Sequence, residues 1–341
     1  MPNAIIVRRY GGPEELRQEP VQLAAPGPGE VRLRQGAIGV NFHDIYVRSG
    51  LYKTLALPGV PGVEAAGVIE AVGPGVNDFA PGERVCYVTQ TYGAYADVRL
   101  IDAKHLIKVP GGIDDRTVAS SLVKGLTALM LVGKLRPLTA RDTCLVYAAA
   151  GGVGLVLCQV ARRIGARIIG VVGSDAKVAR ARAAGCDEVI VRTRADIGAE
   201  AMKITGGRGV DVVYDSVGKD TFETSLDVLA SRGLLVNFGQ SSGPVAPMAP
   251  SRLAAKSNAL WRPILFHYLA DPTERQAMAD EFFALLSDGG LKPDAPMAYP
   301  LSEAPAAHLA LEGGATTGSI ILVPRGLRPA ESLPKGNRGG R

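Results

Sequence analysis

The chain has little from which to build a disulfide framework, a histidine-rich metal centre or a stacking surface for nucleic acid. Among 341 residues there are four cysteines, four histidines and one tryptophan, and aromatics make up 5%. Cys86, Cys144, Cys158 and Cys186 lie far apart with no C-x-x-C pair. Such spacing indicates reduced thiols and no sequence-evident zinc site. So few aromatics are a poor base for stacking single-stranded nucleic acid. The start, MPNAIIVRRYGGPEE, lacks a long apolar run, so no secretory signal is expected and the cytoplasm is the expected compartment. One-signed charge is also scarce. The net charge is +5, but residues 325–341 hold five Arg or Lys and one Glu, which leaves the remainder near neutral. Nucleic-acid binding is therefore not expected of the body, and only the tail, expected to be disordered, invites weak salt-sensitive contact. Finally, no long apolar run is unbroken. Nineteen uncharged residues separate Asp142 from Arg162, near the length that spans a bilayer, but Gly151, Gly152, Gly154 and Gln159 interrupt them. A strand, a turn and a buried helix account for that stretch, and no membrane span is expected.

What is present divides the chain in two, as its length leads one to expect. Over 1–124, short Val-, Ile- and Tyr-rich runs alternate with Pro/Gly clusters, which predicts a compact, mostly β domain. Over 125–262, strands alternate with helical stretches: TCLVYAAA, ARIIGVVG, DEVIV, GVDVVYDSVG and GLLVNFGQ read as five strands. Strands joined by helical crossovers predict an α/β fold with a Rossmann-type, doubly wound parallel sheet. Residues 263–324 are expected to return to the first domain, and 325–341 to form the tail.

The first strand of the series runs into A-A-A-G-G-V-G and then a helix whose buried face carries Val153, Leu157, Val160, Ala161 and Ile164. Ala148, Gly151 and Gly154 give A-x-x-G-x-x-G, a near match to the dinucleotide fingerprint. In that fingerprint small residues admit a pyrophosphate, and the helix N-terminus offers unpaired N–H groups. Glycine-rich turns also arise for packing alone; the flanking strand and helix favour a nucleotide. The second strand ends at Val172 and Gly173 without a carboxylate at its tip. Ser174 and Lys177, joined by Arg192, suit a 2′-phosphate, so NADPH is expected over NADH. Asp175, which also suits the start of the following helix, keeps NADH open.

Taken together, several segments resemble the zinc-independent, ζ-crystallin-like quinone oxidoreductases of the medium-chain dehydrogenase/reductase superfamily. They are NFHDIYVRSGLY (Asn41 to Tyr52), PGVEAAGVIEAVG (Pro61 to Gly73), KGLTA (Lys124 to Ala128), AAAGGVG, GVDVVYDSVG and TTGSIILVP (Thr316 to Pro324). The resemblance spans about residues 1–324 and implies that the β-rich part is a GroES-like catalytic domain. Where zinc-dependent relatives have Gly-His-Glu this chain has Gly62-Val63-Glu64, and no cysteine stands near Asn41–Asp44, so no metal is expected. The resemblance further implies that Asn41, Tyr46, Tyr52 and Arg262 serve catalysis, the tyrosines binding an acceptor carbonyl and Arg262 supplying positive potential. It places Asn41, Thr127, Gly151, Gly152, Val153, Gly173, Ser174, Lys177, Phe238, Gly239 and Ser241 along the cofactor cleft. Two departures stand out: Arg192 where a tyrosine is common, and Gly313-Gly314 where relatives have Ser-Arg.

The implied activity is NADPH-dependent hydride transfer to a quinone or an α,β-unsaturated carbonyl compound, by a homodimer without a metal. Two other readings stay open. One is an enoyl-thioester reductase; the other is a cofactor-binding structural or RNA-binding protein with little catalysis.

Overall fold

The computed structural model describes residues 1–314 and 318–325; the expectation of a disordered tail falls on 326–341, outside the described residues. Five successive strands of alternating-helix chain are joined by a sixth into one sheet. Its order is Glu188–Val191, Arg167–Val172, Thr143–Tyr147, Val210–Asp215, Leu229–Asn237 and Ala259–Trp261, with every neighbouring pair parallel. Ranked by position in this series the order is 3-2-1-4-5-6, the doubly wound arrangement in which ligands bind at the reversal beside strand 1. Thr143–Tyr147 is buried at all five positions, as a strand covered by helices on both faces must be. The sixth strand, Ala259–Trp261, was not anticipated: it has three residues, two of them exposed, and so no hydrophobic pattern to betray it.

A second sheet of seven strands centres on Glu30–Val40. That strand pairs antiparallel with Glu64–Val72, Val98–Asp102 and Ile320–Val323, and the sheet continues through Arg84–Val88 and Leu106–Lys108 on one side and Met297–Pro300 on the other. Glycine at position 39 is a steric requirement here. A Cβ on Gly39 would stand 2.2 Å from Glu64 Oε1 and 2.4 Å from the Ala119 carbonyl oxygen, so glycine lets a carboxylate and a helix close on the strand together.

Helix Asp115–Gly133 joins the two layers, its N-terminus capped by Asp114, which accepts from the Thr117 N–H at 2.9 Å. Its earlier part packs on the antiparallel sheet, where Ala119 meets Ala37 and Ile321, and its later part belongs to the core of the parallel sheet. The division expected between 124 and 125 therefore falls inside one continuous helix. The chain after 262 is shared as well. Helix Pro272–Ser287 buries Met278, Phe282 and Phe283 in the core of the parallel sheet, whereas Met297–Pro300, Leu301, helix Ala304–Glu312 and Ile320–Val323 join the other layer.

Phe282 is fully buried, with its ring lying where a Cβ on Gly125 would be, 2.3 Å from Cδ2. Phe282→Ala is expected to lower unfolding free energy by about 3–5 kcal/mol, against less than about 0.5 kcal/mol for exposed Glu281→Ala. Chemical denaturation of both variants checks this; equal losses would show that the helix is not anchored there.

Candidate functional site

The glycine turn is built from backbone contacts. Strand Thr143–Tyr147 ends at Ala148, which takes φ +50, a left-handed conformation that costs an alanine more than a glycine. The Gly151 N–H donates to the Ala148 carbonyl at 2.7 Å, and Gly151 opens helix Gly152–Ile164 with no side-chain cap. A Cβ on Gly154 would lie 2.2 Å from that same carbonyl oxygen, so only glycine lets the helix seat on the turn. The N–H groups of the first helical turn lack intrahelical partners and suit an anion. Gly152 has a second role: a Cβ there would meet Lys124 Cε at 2.9 Å, so its absence makes room for the lysine stem.

Beside this turn, the tips of strands Arg167–Val172 and Glu188–Val191 gather cations. Gly173 and Ser174 follow Val172, and the Arg192 N–H donates to the Val172 carbonyl at 3.0 Å, with its guanidinium nitrogen Nε 3.7 Å from the place of a Gly173 Cβ. Lys177 donates its ammonium proton to the Gly314 carbonyl at 2.8 Å. Asp175, the carboxylate that kept NADH open, is paired with Arg194 at 2.6 Å. Arg194 was missed by the sequence reading, although its position two residues after Arg192 was a usable signal.

Tyr46, Tyr52 and Arg262 converge from both layers. Helix Phe42–Ser49 carries Tyr46, whose ring meets that of Tyr52 edge-on at 5.1 Å. Arg262 donates through Nη1 to the Asn237 carbonyl at 2.9 Å and through Nη2 to the Tyr52 hydroxyl at 3.2 Å. Gln240 joins them: its side-chain Nε2 donates to the Tyr52 hydroxyl at 3.2 Å and its backbone N–H to the Tyr46 hydroxyl at 3.3 Å. Gln240 also went unnoticed, though it stands between Gly239 and Ser241, both singled out. Those three residues and Phe238 lie on a loop laced to the end of strand Val210–Asp215. The Phe238 N–H donates to the Asp215 carbonyl at 2.9 Å, the Ser241 N–H to the Ser216 carbonyl at 3.3 Å, and a Cβ on Gly239 would stand 2.5 Å from the Ser216 carbonyl oxygen. Val153 and Thr127 are half-buried, the latter one helical turn beyond Lys124. His43 packs against Tyr52 and Phe266, at ring distances of 5.8 and 5.2 Å, and burial pushes its pKa down to about 4, so it is neutral at pH 7.

Asn41 belongs to a different constellation. Its side-chain Nδ2 donates to Glu64 Oε1 at 2.7 Å, and its Oδ1 accepts from the Lys124 ammonium at 3.4 Å. Glu64 Oε2 accepts the Val123 N–H at 2.8 Å. Nearby, Asp44 Oδ2 accepts the Asn41 N–H at 2.8 Å and the Tyr95 hydroxyl at 3.2 Å, while that hydroxyl lies 2.9 Å from His308 Nε2. Burial pushes the His308 pKa down to about 3, so its imidazole is neutral at pH 7. Burial raises the Glu64 pKa and lowers that of Lys124. Asp44 is pushed up to about 7, first by burial, with the charge of Glu64 adding to it. Among the described residues no three or more His, Cys, Asp or Glu side chains are grouped to hold a metal ion. No helix among them is long and apolar enough to cross a membrane.

The comparisons agree with this architecture. A family profile described as "Alcohol dehydrogenase GroES-like domain" matches residues 27–111, and one described as "Zinc-binding dehydrogenase" matches 152–283. A quinone oxidoreductase of Pseudomonas aeruginosa is 44% identical over 316 residues, 92% of this chain and 97% of that protein. The chain belongs to the ζ-crystallin-like quinone oxidoreductase family of the medium-chain dehydrogenases/reductases. Within it, a 2-haloacrylate reductase of a Burkholderia species is 41% identical over 94% of this chain and 99% of that protein. The solved structure of Escherichia coli quinone oxidoreductase complexed with NADPH matches with a TM-score of 0.92 at 41% identity, covering 94% of this chain and all of that one. The second profile is named for zinc, but in this chain Glu64 is committed to the Asn41 amide and the Val123 N–H, and Asp44 Oδ2 to the Asn41 N–H and the Tyr95 hydroxyl.

The buried carboxyl of Asp44 has a consequence for stability. Folded, it keeps its proton to about pH 7, whereas in the unfolded chain it ionises near 4, so the fold loses this contribution as pH rises from about 4 to about 7. Asp44→Asn removes that dependence. Unfolding free energies measured from pH 4 to 8 should show the variant gaining on wild type by at least about 1 kcal/mol across the interval; a constant difference would mean that Asp44 ionises normally.

Proposed function

We propose that this protein is an NADPH-dependent, metal-independent reductase that passes hydride to quinones or to α,β-unsaturated carbonyl compounds. The observation that carries the reading is the state of the Tyr52 hydroxyl. It accepts two N–H bonds, from Arg262 and Gln240, so its own proton is left to donate to an acceptor carbonyl. The cation behind it stabilises charge arriving on that oxygen. Hydride addition to a quinone or a conjugated C=C is already electronically favourable, so orientation and a few fixed donors suffice. Tyr46 offers a second hydroxyl, its ring packed edge-on against that of Tyr52 with centroids 5.1 Å apart.

The residues present fit the dinucleotide. The seat that Gly154 leaves against Ala148 and the uncapped start of helix Gly152–Ile164 suit a pyrophosphate. Ser174, Lys177 and Arg192 suit a 2′-phosphate, and Arg194, paired with Asp175, adds positive charge beside them. Thr127, Val153, Gly173, Phe238, Gly239 and Ser241 complete the cleft wall. Bound there, the nicotinamide supplies the hydride. Asn41, fixed by Glu64 and Lys124, orients the neighbouring wall as a member of the buried chain. Two relatives support the acceptor class by name, one for quinones and one for a haloacrylate, whose C=C is conjugated with a carboxylate. The protein acts in this reading as a cytoplasmic homodimer. The parallel sheet ends in the short strand Ala259–Trp261, where Leu260 is 39% exposed, and a second copy paired there would protect the edge.

NADPH oxidation followed against quinones, enones and enoyl thioesters tests the reading. Turnover is expected with quinones or enones, and Arg262→Ala and Tyr52→Phe are each expected to lower kcat/KM by about 10²-fold. Turnover confined to thioesters, or none, would overturn the assigned substrate class, and full activity in both variants would overturn the assigned roles.

A further inference from the structure

Arg99 is a buried cation without an opposite charge. It lies on strand Val98–Asp102, is only 8% exposed, and pairs with no carboxylate among the described residues. Its one side-chain hydrogen bond among them runs from Nε to the Leu100 carbonyl at 3.3 Å, and Nη1 is buried with no partner. A guanidinium carries five N–H donors, so most of that capacity is unused. The nearest carboxylate in sequence, Asp97, is turned elsewhere: it accepts the Asn3 N–H at 2.8 Å and the Arg325 N–H at 3.2 Å. A cation held out of water without a counter-ion costs folding free energy.

The surroundings hold the guanidinium in place. It lies over the Tyr87 ring, with Cζ 4.9 Å from the centroid. Gly93, at φ +96, makes room for it: a Cβ there would stand 3.1 Å from Cζ and 3.2 Å from Nη2. Arg99 also lines a cleft of about 660 Å³, a size that takes a small organic ligand. The wall is mostly apolar, with Leu23, Leu55, Val60, Val98 and Leu100 along it, and Arg99 is its one charged residue among those described. None of Tyr46, Tyr52, Gln240 and Arg262 lines it, so the cleft is separate from the acceptor site.

We propose that this cleft is a second binding site, for an amphipathic monocarboxylate whose carboxylate pairs with Arg99 and whose apolar tail lies along the leucines and valines. Charge selects the ligand. One guanidinium on a wall with no acid and no second cation matches a monoanion, whereas the dianion of a phosphate monoester would be left half-neutralised. The planar fork of an arginine meets both oxygens of a carboxylate, and burial of the tail against the wall adds the apolar contribution. The site is independent of the reductase chemistry and stands whether or not the protein reduces a quinone.

Titration calorimetry at pH 7 in saturating NADPH tests the site, with octanoate as the probe and octanol as its uncharged control. The proteins are wild type, Arg99→Met, Leu23→Glu and Arg262→Ala. Methionine keeps an apolar stem and removes the charge. Leu23→Glu sets a carboxylate on a half-buried part of the wall, and it decides the matter if Arg99→Met does not fold. Wild type is expected to bind one octanoate per chain, about tenfold or more tighter than octanol. Arg99→Met and Leu23→Glu are each expected to erase that preference, and Arg262→Ala to keep it. No octanoate binding by wild type, or an undiminished preference in Leu23→Glu or in folded Arg99→Met, would overturn the site. Loss of octanoate binding in Arg262→Ala would overturn it as well, by placing the carboxylate at the acceptor site.

Discussion

The contact between the first turn of helix Gly152–Ile164 and the carbonyl of Ala148 fixes nearly everything else about the site. A helix that seats directly on the backbone of a preceding strand can do so only if no side chain intervenes, and the 2.2 Å separation computed for a Cβ on Gly154 leaves no room for one. The same seating turns the unpaired N–H groups of the helix outward at the point where the sheet order reverses. It also passes the stem of Lys124 beneath Gly152 and brings the helix that carries Lys124 into both layers. One close approach thus places an anion-binding terminus, the buried Lys124 and the helix shared by the two sheets beside one another.

Burial then sorts the polar groups into two sets with different tasks. Glu64, Asn41, Lys124, Asp44, Tyr95 and His308 are enclosed and bonded to one another, and burial favours the neutral forms of all but Asn41, which does not ionise. Such a chain locks the wall of a cleft in one arrangement. Tyr46, Tyr52, Gln240 and Arg262 stay at the surface of the cleft, with one hydroxyl proton on Tyr52 uncommitted. The first set holds the second in place, because helix Phe42–Ser49 begins at Asn41 and Asp44 and carries Tyr46 one turn later.

Much of this was legible in the sequence for identifiable reasons. The glycine turn announced itself because a buried strand, small residues and an apolar helical face follow in immediate succession, and the strand–helix alternation after it gave the parallel sheet. Tyr46, Tyr52 and Arg262 came from resemblance, and the structure brings them together across 210 residues of chain. What escaped were features without a local pattern. Ala148, a departure from glycine in the fingerprint, bears a left-handed backbone that its neighbours in sequence do not announce. Helix Asp115–Gly133 is apolar toward both layers, so its sequence has no break where a domain boundary was placed. Gln240 and Arg194 owe their place to partners distant in sequence, which leave no signature in composition or periodicity.

The central claim is that a phosphorylated dinucleotide lies along the bend from Ala148 to Gly154. A crystal structure of the wild-type protein grown with NADPH tests it most directly. The account predicts the pyrophosphate within hydrogen-bond reach of the first-turn N–H groups of helix Gly152–Ile164, and the 2′-phosphate among Ser174, Lys177 and Arg192. A groove left empty at saturating NADPH, or a pyrophosphate bound away from that helix terminus, would contradict it.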